Sequence, residues 1–331
     1  MNNTLKNPDI NLSRGEVVFG KWHKNQYTII DTLGYGATGY VYLALDKNAK
    51  HVALKLSDNS LAITSEVNVL KHFSKVQGFA LGPSLIDVDD WEKKHAKHTI
   101  SFYVMEYLKG ENFLQFVTQR GNEWIGVLVL QLLTDLEALH NEGWVFGDLK
   151  PDNLIVTNVP AKVRMLDVGG TTIKGRAIKE FTEFFDRGYW GLGSRKAEPT
   201  YDLFSVAMIM INACYPRRFQ KDGTGVKQLK NAIARHPWLQ KHERVIVSAL
   251  EGKYSSALEM KQSLSNSLSK VAISSVSSKK SASTIVHNGS NSRVARKNKK
   301  RGKTYKGIIE TAVLVSIVFL VYLIYVYGNL L

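Results

Sequence analysis

The sequence predicts an α+β fold in which a strand-rich lobe precedes a helix-rich lobe, followed by one transmembrane helix. Three observations lead to this prediction. Apolar residues alternate along four early segments, they recur at helical spacing along two later segments, and one long apolar run lies near the C-terminus. A chain of 331 residues, of which 44% are hydrophobic, is long enough to bury a core of this kind.

The predicted strands and helices occupy separate parts of the chain. The alternating segments are 27–34, 40–46, 51–57 and 99–108, and the helical segments are 128–143 and 203–214. Together they predict one globular domain at 26–268, after an N-terminal segment at 1–25. No early apolar run has the length that a secretory leader needs, and Cys214 is the only cysteine, so we expect a reducing compartment.

The apolar run 308–327 has the length of a membrane-spanning helix. It contains 20 residues and a single charge, that of Glu310 in the first turn, and a helix of this length extends about 30 Å. A buried core helix is the alternative, but the apolar residues face every direction. Because positive charge beside a span marks its cytoplasmic side, we expect a single-pass cell-membrane protein with a cytoplasmic globular domain and the short tail 328–331 outside.

The segment 269–307 is predicted to be a linker, rich in serine at first and then basic. Ten of the Lys and Arg residues behind the net charge of +15 lie between 271 and 306, a stretch without acidic residues. Eight of them cluster immediately before the apolar run: Arg293, Arg296, Lys297, Lys299, Lys300, Arg301, Lys303 and Lys306. This cluster has three interpretations: it only sets the membrane topology, it binds anionic lipid, or it binds DNA non-specifically and in a salt-dependent way.

Two motifs in the strand-rich part indicate contact with phosphate groups. Gly34, Gly36 and Gly39 lie between two predicted strands, where a hairpin without side chains allows backbone N–H groups to approach phosphate oxygens. Lys55 follows in the sequence VALK, inside a predicted strand, where a lone ammonium group is costly to bury unless it meets an anion. Each motif alone is weak evidence.

Two further motifs follow in the second half of the chain. In VFGDLKPDN, Asp148 and Asn153 stand five positions apart with Lys150 between them. Asp167 follows in LDVGG. Phosphoryl transfer needs a phosphate cradle, a lysine, metal-binding groups and a carboxylate aimed at the acceptor hydroxyl. The four motifs provide these groups in one order, so their combination is much more specific than any one of them.

The order and spacing of the motifs resemble those of the Hanks-type Ser/Thr protein kinases. The resemblance covers about 26–268 and is greatest to the short bacterial members with a C-terminal membrane anchor. It implies a bilobal protein-kinase-like fold, with a β-rich N-lobe and a helical C-lobe. It also implies that the protein uses ATP and Mg²⁺ and acts on protein substrates.

The resemblance also implies a role for each matching residue. Asp148 would orient the acceptor hydroxyl and accept its proton, and Lys150 would offset charge on the moving phosphoryl group. Asn153 and Asp167 would bind Mg²⁺. The residues implied in ATP binding, with Glu66 as the partner that holds Lys55 and the backbone of Glu106 to Leu108 facing adenine, are Leu33, Gly34, Gly36, Gly39, Val41, Lys55, Glu66, Glu106 and Leu108.

The chain departs from the family pattern just before the catalytic aspartate. Phe146 and Gly147 replace the usual His-Arg, and that arginine normally pairs with a phosphate on the activation segment. We therefore expect Gly147 to weaken regulation by phosphorylation more than it affects the chemistry. The acid that usually ends the activation segment also has no clear counterpart, since Glu198 stands too close to Asp202, and Lys253 takes the place of its usual arginine partner.

Thr171 and Thr172 follow Asp167 in a segment expected to be exposed and mobile, which makes them the candidate autophosphorylation sites. Such phosphorylation would occur in trans between self-associated molecules. Because the regulatory arginine is missing, replacing Thr171, Thr172 and Thr182 together by alanine is expected to lower activity only modestly. Replacing Lys55 or Asp148 by alanine is expected to abolish transfer and leave the fold intact.

Two other functions are compatible with the motifs. A small-molecule kinase of the aminoglycoside or choline type often has a glycine before the catalytic aspartate, as this chain does, although Lys150 argues for a protein kinase. A pseudokinase that acts as a membrane scaffold is the alternative from a different functional class. Mg²⁺-dependent incorporation of phosphate from labelled ATP would exclude the scaffold.

Overall fold

The computed structural model describes residues 10–36, 38–75, 82–92 and 99–282. The N-terminal part forms an antiparallel sheet with the strand order β1-β2-β3-β4-β6-β5. Its elements are β1 (Val17–Phe19), β2 (Gln26–Gly36), β3 (Gly39–Leu45), β4 (His51–Ser57), helix α1 (Ser60–Lys75), β5 (Leu85–Trp91) and β6 (Ile100–Glu106). The four strands predicted from alternation are thus confirmed as β2, β3, β4 and β6.

Successive side chains of each strand point to opposite faces of the sheet. Each face packs into an apolar cluster. One face, with Ala53 and Tyr103, packs into the same apolar cluster as α1. The other face, with Tyr42 and Phe102, forms a second cluster. The turn after β1 reaches the opposite edge of the sheet, where the Lys21 N–H donates to the Asp90 carbonyl at 2.7 Å.

The C-terminal part is mainly helical and confirms the predicted second lobe. Its elements are β7 (Glu111–Asn112), α2 (Phe113–Arg120), α3 (Glu123–Asn141), β8 (Trp144–Val145), β9 (Leu154–Asn158), β10 (Ala161–Met165), β11 (Thr172–Ile173), α4 (Arg187–Trp190), α5 (Pro199–Cys214), α6 (Val226–Arg235), α7 (Pro237–Lys241), α8 (Glu243–Leu250) and α9 (Ala257–Ala282). Every residue of α5 from Tyr201 to Ala213 is buried, as expected for a helix that is apolar on all sides. The C-terminal part also contains two small sheets, β10-β9-β7 and β11-β8. The catalytic loop connects β8 of one sheet to β9 of the other.

The segment 1–25, predicted to precede the domain, contributes to the N-lobe from residue 10 onward. Ile10, Leu12 and Val18 are buried in the second apolar cluster. β1 pairs with β2, with Val17 opposite Thr28. The sequence did not indicate this because three residues of strand and two isolated apolar side chains have no recognisable periodicity; their burial depends on a sheet formed by later residues.

Helix α9 extends to Ala282, into the segment 269–307 for which the sequence predicts a linker. Serine is a moderate helix former rather than a breaker, and no Gly or Pro occurs between Ala257 and Ala282. A helix that begins on the apolar core through Ala257, Met260 and Leu264 can therefore continue through a serine-rich sequence.

The predicted membrane span 308–327 and the basic cluster 293–306 lie outside the described residues. Within the described residues, no helix combines the length and the apolar character that crossing a bilayer requires.

Candidate active site

Lys55 and Glu66 form a buried ion pair in the N-lobe. Lys55 lies in β4, between β3 and β6, and its Nζ is 2.8 Å from Glu66 Oε1 and 2.7 Å from Oε2. The two residues are only 4% and 2% exposed. Tyr103 on β6 donates its hydroxyl to Glu66 Oε2 at 2.8 Å. The contact expected between Lys55 and Glu66 is therefore present, although few residues separate them in the chain.

Asp167 lies just beyond this pair, after the end of β10. Its Oδ1 is 3.8 Å from Lys55 Nζ and accepts the Gly169 N–H at 2.9 Å. Its side chain is 46% exposed, in contrast to that of Glu66.

Asp202, in the buried first turn of α5, holds the catalytic loop in place. Asp202 is fully buried and accepts the Phe146 N–H at 2.8 Å and the Gly147 N–H at 2.9 Å. His140 at the end of α3 places Nε2 2.9 Å from the same carboxylate. These contacts fix the backbone immediately before Asp148.

Asp148 belongs to a three-residue polar cluster that includes Thr182, to which the sequence assigned no part in catalysis. Thr182 donates its hydroxyl to Asp148 Oδ1 at 3.0 Å and accepts a hydrogen bond from Lys150 Nζ, also at 3.0 Å. Lys150 Nζ also contacts Asp148 Oδ2. Thr182 belongs to no motif of fixed spacing and lies 34 positions from Asp148. Thr182 is one of the three threonines whose joint replacement is expected to lower activity only modestly, and that expectation stays a prediction. The hydrogen bonds of Thr182 to Asp148 and Lys150 favour a larger effect.

Asn153 closes the other end of the catalytic loop. Its side-chain Nδ2 donates to the Asp148 carbonyl at 3.0 Å, which leaves its own carbonyl oxygen for another ligand. That oxygen and the half-exposed Asp167 carboxylate are the hard oxygen donors that Mg²⁺ prefers. The two residues thus fit the Mg²⁺ site implied by the motifs, and the bound ion would neutralise charge on the ATP phosphates.

Gly147 has a steric role that the sequence did not show. Its φ is +85°, and a Cβ atom there would lie 2.7 Å from the Gly170 carbonyl oxygen. A Cβ on Gly170 would in turn lie 3.0 Å from that of Asp148. The catalytic loop and the loop after Asp167 thus pack backbone to backbone. Glycine at position 147 is therefore required for this close approach. Its presence has a steric reason in addition to the absence of the arginine that usually binds a phosphate.

Thr171 and Thr172 are not exposed, which corrects the premise on which they were selected. Both are buried, because the chain after Asp167 forms β11 against β8. The Thr172 hydroxyl donates to the Gly170 carbonyl at 2.9 Å, and the Thr171 hydroxyl has no hydrogen-bond partner among the described residues. In this conformation neither hydroxyl is accessible to a second active site.

The end of the activation segment is anchored by two local ion pairs that the sequence did not predict. Asp186, fully buried, lies 2.7 Å from Arg195 and accepts the Tyr201 hydroxyl at 2.9 Å. Arg187 is 3.1 Å from Glu198. Glu198 therefore has a local partner in Arg187, while the expected absence of the usual acid–arginine pair stays a prediction.

Lys253 does not take part in this anchoring. Its Nζ is 2.6 Å from Glu251, which also contacts Lys230. These two cations hold the pKa of Glu251 at about 2. Lys253 therefore belongs to a surface network of charges. It does not substitute for the arginine that usually pairs with the end of the activation segment.

The glycine-rich hairpin connects β2 to β3. Gly34 pairs with Val41 and Gly36 with Gly39. A Cβ on Gly39, whose φ is +134°, would lie 2.1 Å from the Leu56 carbonyl oxygen, so only glycine fits. Leu33, the residue before this hairpin, is 45% exposed.

The connection between the lobes carries Glu106 and Leu108, as the sequence predicted. Leu108 is buried, whereas Glu106 at the end of β6 is only half-buried. Arg164 on β10 donates to Glu106 Oε2 at 3.1 Å and to the Gly82 carbonyl at 2.7 Å. Hydrogen bonds from Ser84 and Arg164 overcome the effect of burial and lower the pKa of Glu106. Arg164 is thus a contact of the hinge that the sequence analysis missed.

Comparisons with known proteins agree with this geometry. Residues 27–289 match the protein kinase domain family. The chain is 54% identical over 272 residues to serine/threonine-protein kinase YabT of Bacillus subtilis (strain 168), covering 82% of this chain and 80% of that protein. It is 24% identical over 220 residues to the probable serine/threonine-protein kinase YbdM of the same organism, covering 62% of this chain and 77% of that protein.

Another relative matches less than half of this chain. Sperm motility kinase 2B of Mus musculus is 31% identical over 158 residues, which cover 45% of this chain and 30% of that protein. The motifs, the geometry and the long match to the bacterial relative therefore lead to one conclusion. The chain belongs to the protein kinase family and is a serine/threonine protein kinase.

Proposed function

We propose that this kinase is anchored in the cell membrane and transfers the γ-phosphoryl group of ATP to Ser and Thr hydroxyls of proteins, including its own chain. The observation that carries the proposed chemistry is the cluster of Asp148, Lys150 and Thr182, against which Gly170 in the loop after Asp167 packs. A carboxylate held by both a cation and a hydroxyl is oriented before the substrate arrives, and such positioning is the main requirement of phosphoryl transfer.

Each residue of the cleft has a defined part in this scheme. Asp148 accepts a hydrogen bond from the acceptor hydroxyl and receives its proton, while Lys150 offsets negative charge at the transferred group. Lys55, held by Glu66, contacts the α- and β-phosphates beneath the glycine-rich hairpin. The Lys55 ammonium, paired with Glu66 and placed 3.8 Å from Asp167, is suited to an anion that brings its own Mg²⁺.

Incorporation of labelled phosphate from ATP into protein, with and without Mg²⁺, tests the proposed chemistry. We expect Asp148→Ala to lower incorporation about 100-fold or more. Asp222→Asn, which alters an exposed carboxylate bonded to Thr224, is the matched control and should leave the rate unchanged. Incorporation by Asp148→Ala near the parental rate would contradict the catalytic assignment.

The same assay separates the alternatives. A protein that binds ATP and incorporates no phosphate under any Mg²⁺ concentration is a scaffold. A protein that phosphorylates an aminoglycoside or choline, and no polypeptide, is a small-molecule kinase. The contact of Lys150 with Asp148 and Thr182 supports the protein kinase over both alternatives.

The proposed anchor is the apolar run 308–327, with the basic cluster 293–306 on the cytoplasmic side. The support is the run's length and its single charge. Fractionation of cells that produce the full chain, compared with a chain ending at Lys306, tests the anchor. Loss of membrane association on truncation supports it, and equal distribution of both chains contradicts it. Cleavage of the kinase domain by external protease in intact cells would contradict the orientation.

We also propose that the basic cluster 293–306 binds a polyanion, either DNA or anionic lipid, as a regulator. Several kinase molecules collected on one polyanion would phosphorylate one another faster, because their local concentration rises. The chain ending at Lys306 is tested with duplex DNA and with phosphatidylserine vesicles over a range of salt. Binding that falls steeply with salt and raises autophosphorylation supports the role, and the arm that responds identifies the ligand. Binding unchanged by deletion of 293–306 contradicts it.

Autophosphorylation at Thr171 or Thr172 requires β11 to separate from β8, because both hydroxyls are buried. Mass spectrometry of the autophosphorylated chain tests these two sites. Phosphate found only on residues outside 171–172 would contradict them.

A further inference from the structure

Three tyrosines connect the buried N-terminal segment to the glycine-rich hairpin. Tyr42 and Tyr40 stand two positions apart on β3, with parallel rings whose centroids are 6.0 Å apart. Tyr35 is the direct cross-strand partner of Tyr40 on β2, and their ring centroids are also 6.0 Å apart. Exposure rises along this row, from fully buried Tyr42 through Tyr40 to Tyr35, which is 70% exposed. The row therefore runs from the core to the hairpin.

The hydroxyl of Tyr42 binds the N-terminal segment at two points. It donates to the Ile10 carbonyl at 2.7 Å and accepts the Leu12 N–H at 2.9 Å. Ile10 and Leu12 are themselves buried in the apolar cluster that contains Tyr40 and Tyr42. Burial raises the pKa of Tyr42, so the hydroxyl remains protonated and keeps its donor. A backbone N–H and a carbonyl thus depend on one side-chain oxygen.

The segment is also attached to the strand that leads into the hairpin. The Gly15 N–H donates to the Ile29 carbonyl, and the Ile29 N–H donates to the Glu16 carbonyl, both at 2.8 Å. Since Ile29 lies in β2, the N-terminal segment contacts both strands of the hairpin, β2 through these bonds and β3 through Tyr42.

The opposite face of the same strand carries a residue implied in nucleotide binding. Side chains alternate along β3, so Val41, between Tyr40 and Tyr42, points away from them. Val41 pairs with Lys55 on β4 and with Gly34 on β2. A shift of the tyrosine face of β3 therefore also shifts Val41 and the glycine-rich hairpin against Lys55.

We propose that the N-terminal segment 10–16 positions the glycine-rich hairpin through Tyr42, Tyr40 and Tyr35, and thereby sets the affinity of the kinase for ATP. Tyr42 is a positioning residue, since it acts through the hairpin. This inference rests on the proposed use of ATP at the cleft, but it concerns residues that lie outside the catalytic motifs.

The test compares two variants of the full chain, each of which removes one buried tyrosine hydroxyl. Tyr42→Phe releases Ile10 and Leu12. Tyr27→Phe is the matched control, because Tyr27 is buried in the same cluster and its hydroxyl donates to Asp87 at 2.6 Å instead of to the N-terminal segment. The dissociation constant of ATP is measured by calorimetry, amide hydrogen exchange is followed at 34–41, and the unfolding midpoint is recorded for each protein.

We expect Tyr42→Phe to raise the dissociation constant of ATP about 3- to 10-fold and to speed hydrogen exchange in the hairpin, since one to two hydrogen bonds that restrain it are lost. Tyr27→Phe should lower the unfolding midpoint to a similar extent and leave both other quantities unchanged. Equal ATP affinity in the parental and Tyr42→Phe proteins would overturn the proposal, as would an equal loss of affinity in Tyr27→Phe.

Two further results keep the outcome decisive. If Tyr42→Phe does not fold, Tyr40→Leu takes its place, because it interrupts the ring contacts and leaves the Tyr42 hydroxyl intact; the same rise in the dissociation constant is expected, and an unchanged value overturns the proposal. A parental protein that fails to bind ATP would instead contradict the proposed function, so the two failures are distinguishable.

Discussion

The two lysine–carboxylate pairs of the cleft differ in how far they are removed from water. The side chains of Lys55 and Glu66, in the N-lobe, are 5% and 2% exposed, whereas those of Lys150 and Asp148, in the C-lobe, are 22% and 11% exposed. Glu66 has a second fixed partner in the buried Tyr103 hydroxyl. Asp148 has Thr182 as a partner in addition to Lys150. Thr182 lies outside the catalytic loop, 34 positions later in the chain.

This difference corresponds to different tasks. The N-lobe carboxylate has only to hold a cation in place, so it can be fully enclosed. Asp148 has to exchange a hydrogen bond with each acceptor hydroxyl, so it must remain accessible and depends on neighbours that orient it without enclosing it. The buried pair should therefore respond to mutation mainly as part of the fold, and the open pair mainly as part of the reaction.

The largest effect is expected from Lys55→Met, which leaves the Glu66 carboxylate buried without its cation. We expect loss of phosphoryl transfer and a fall of about 3–5 kcal/mol in the free energy of unfolding, since breaking a buried pair strands a charge. The expectation that loss of Lys55 leaves the fold intact stays a prediction, and the burial of the pair adds a lowered stability to it. Urea unfolding measures the stability.

The double variant Lys55→Met/Glu66→Gln is the control for that experiment. Glutamine removes the stranded charge and keeps an acceptor for Tyr103, so stability should largely return while activity stays lost. A single Lys55→Met variant as stable as the parental protein would contradict the contrast between the two pairs.

For the open pair, Thr182→Ala should lower kcat about 10- to 100-fold, because Asp148 and Lys150 lose the hydroxyl that orients them. The unfolding midpoint should hardly change. Thr182→Ser keeps the hydroxyl and should restore most of the rate. Thr171→Val is the matched control, since the buried Thr171 hydroxyl has no hydrogen-bond partner within the part of the chain that the structure describes. A loss in Thr171→Val as large as that in Thr182→Ala would show that the hydroxyl contact is not the cause.

A smaller effect is expected at the glycine that precedes Asp148. Gly147 and Gly143 have φ values of +85° and +81°, but only Gly147 has a backbone oxygen within 4 Å of its would-be Cβ. Gly147→Ala should lower stability by about 1–3 kcal/mol and reduce kcat several-fold, because the loop shifts away from Gly170. Gly143→Ala should cost only the backbone strain and leave kcat unchanged. Equal kcat values in both variants would exclude the close approach as a constraint on Asp148.

The smallest effect concerns Asp135 on α3, a carboxylate that forms no ion pair with the described residues. Burial raises its pKa to about 6, although Lys162, Arg164 and Lys261 partly oppose the shift. Between pH 3.8, the pKa of this carboxyl group in the unfolded state, and about pH 6, Asp135 is protonated in the folded state and ionised in the unfolded state. The free energy of unfolding should therefore fall as pH rises through this window and then level off.

Asp135→Asn tests this third kind of carboxylate. The variant should lose the slope between about pH 4 and pH 6 and be more stable at pH 7 by on the order of 1 kcal/mol, with unchanged activity. Urea unfolding at several pH values provides the comparison. A slope equal to that of the parental protein would mean that another group titrates in this window.

The sequence by itself determined the order of the two lobes and the elements that carry the motifs. Alternation and helical spacing are local patterns, and they predicted β2, β3, β4, β6, α3 and α5. Short intervals also located the groups of the cleft, since Asp148, Lys150 and Asn153 lie within one loop. Lys55 is confined to a strand, so an anionic partner was predictable from the cost of burying its charge.

Only the tertiary structure decided which distant residues complete those motifs. Thr182 meets Asp148 across 34 positions, and Tyr42 meets Ile10 across 32. The burial of Thr171 depends on the pairing of β11 with β8, and the need for glycine at 147 depends on the approach of Gly170. Such contacts leave no periodic trace in the sequence, because they arise from packing between segments whose separation along the chain is set by the fold and not by any local repeat.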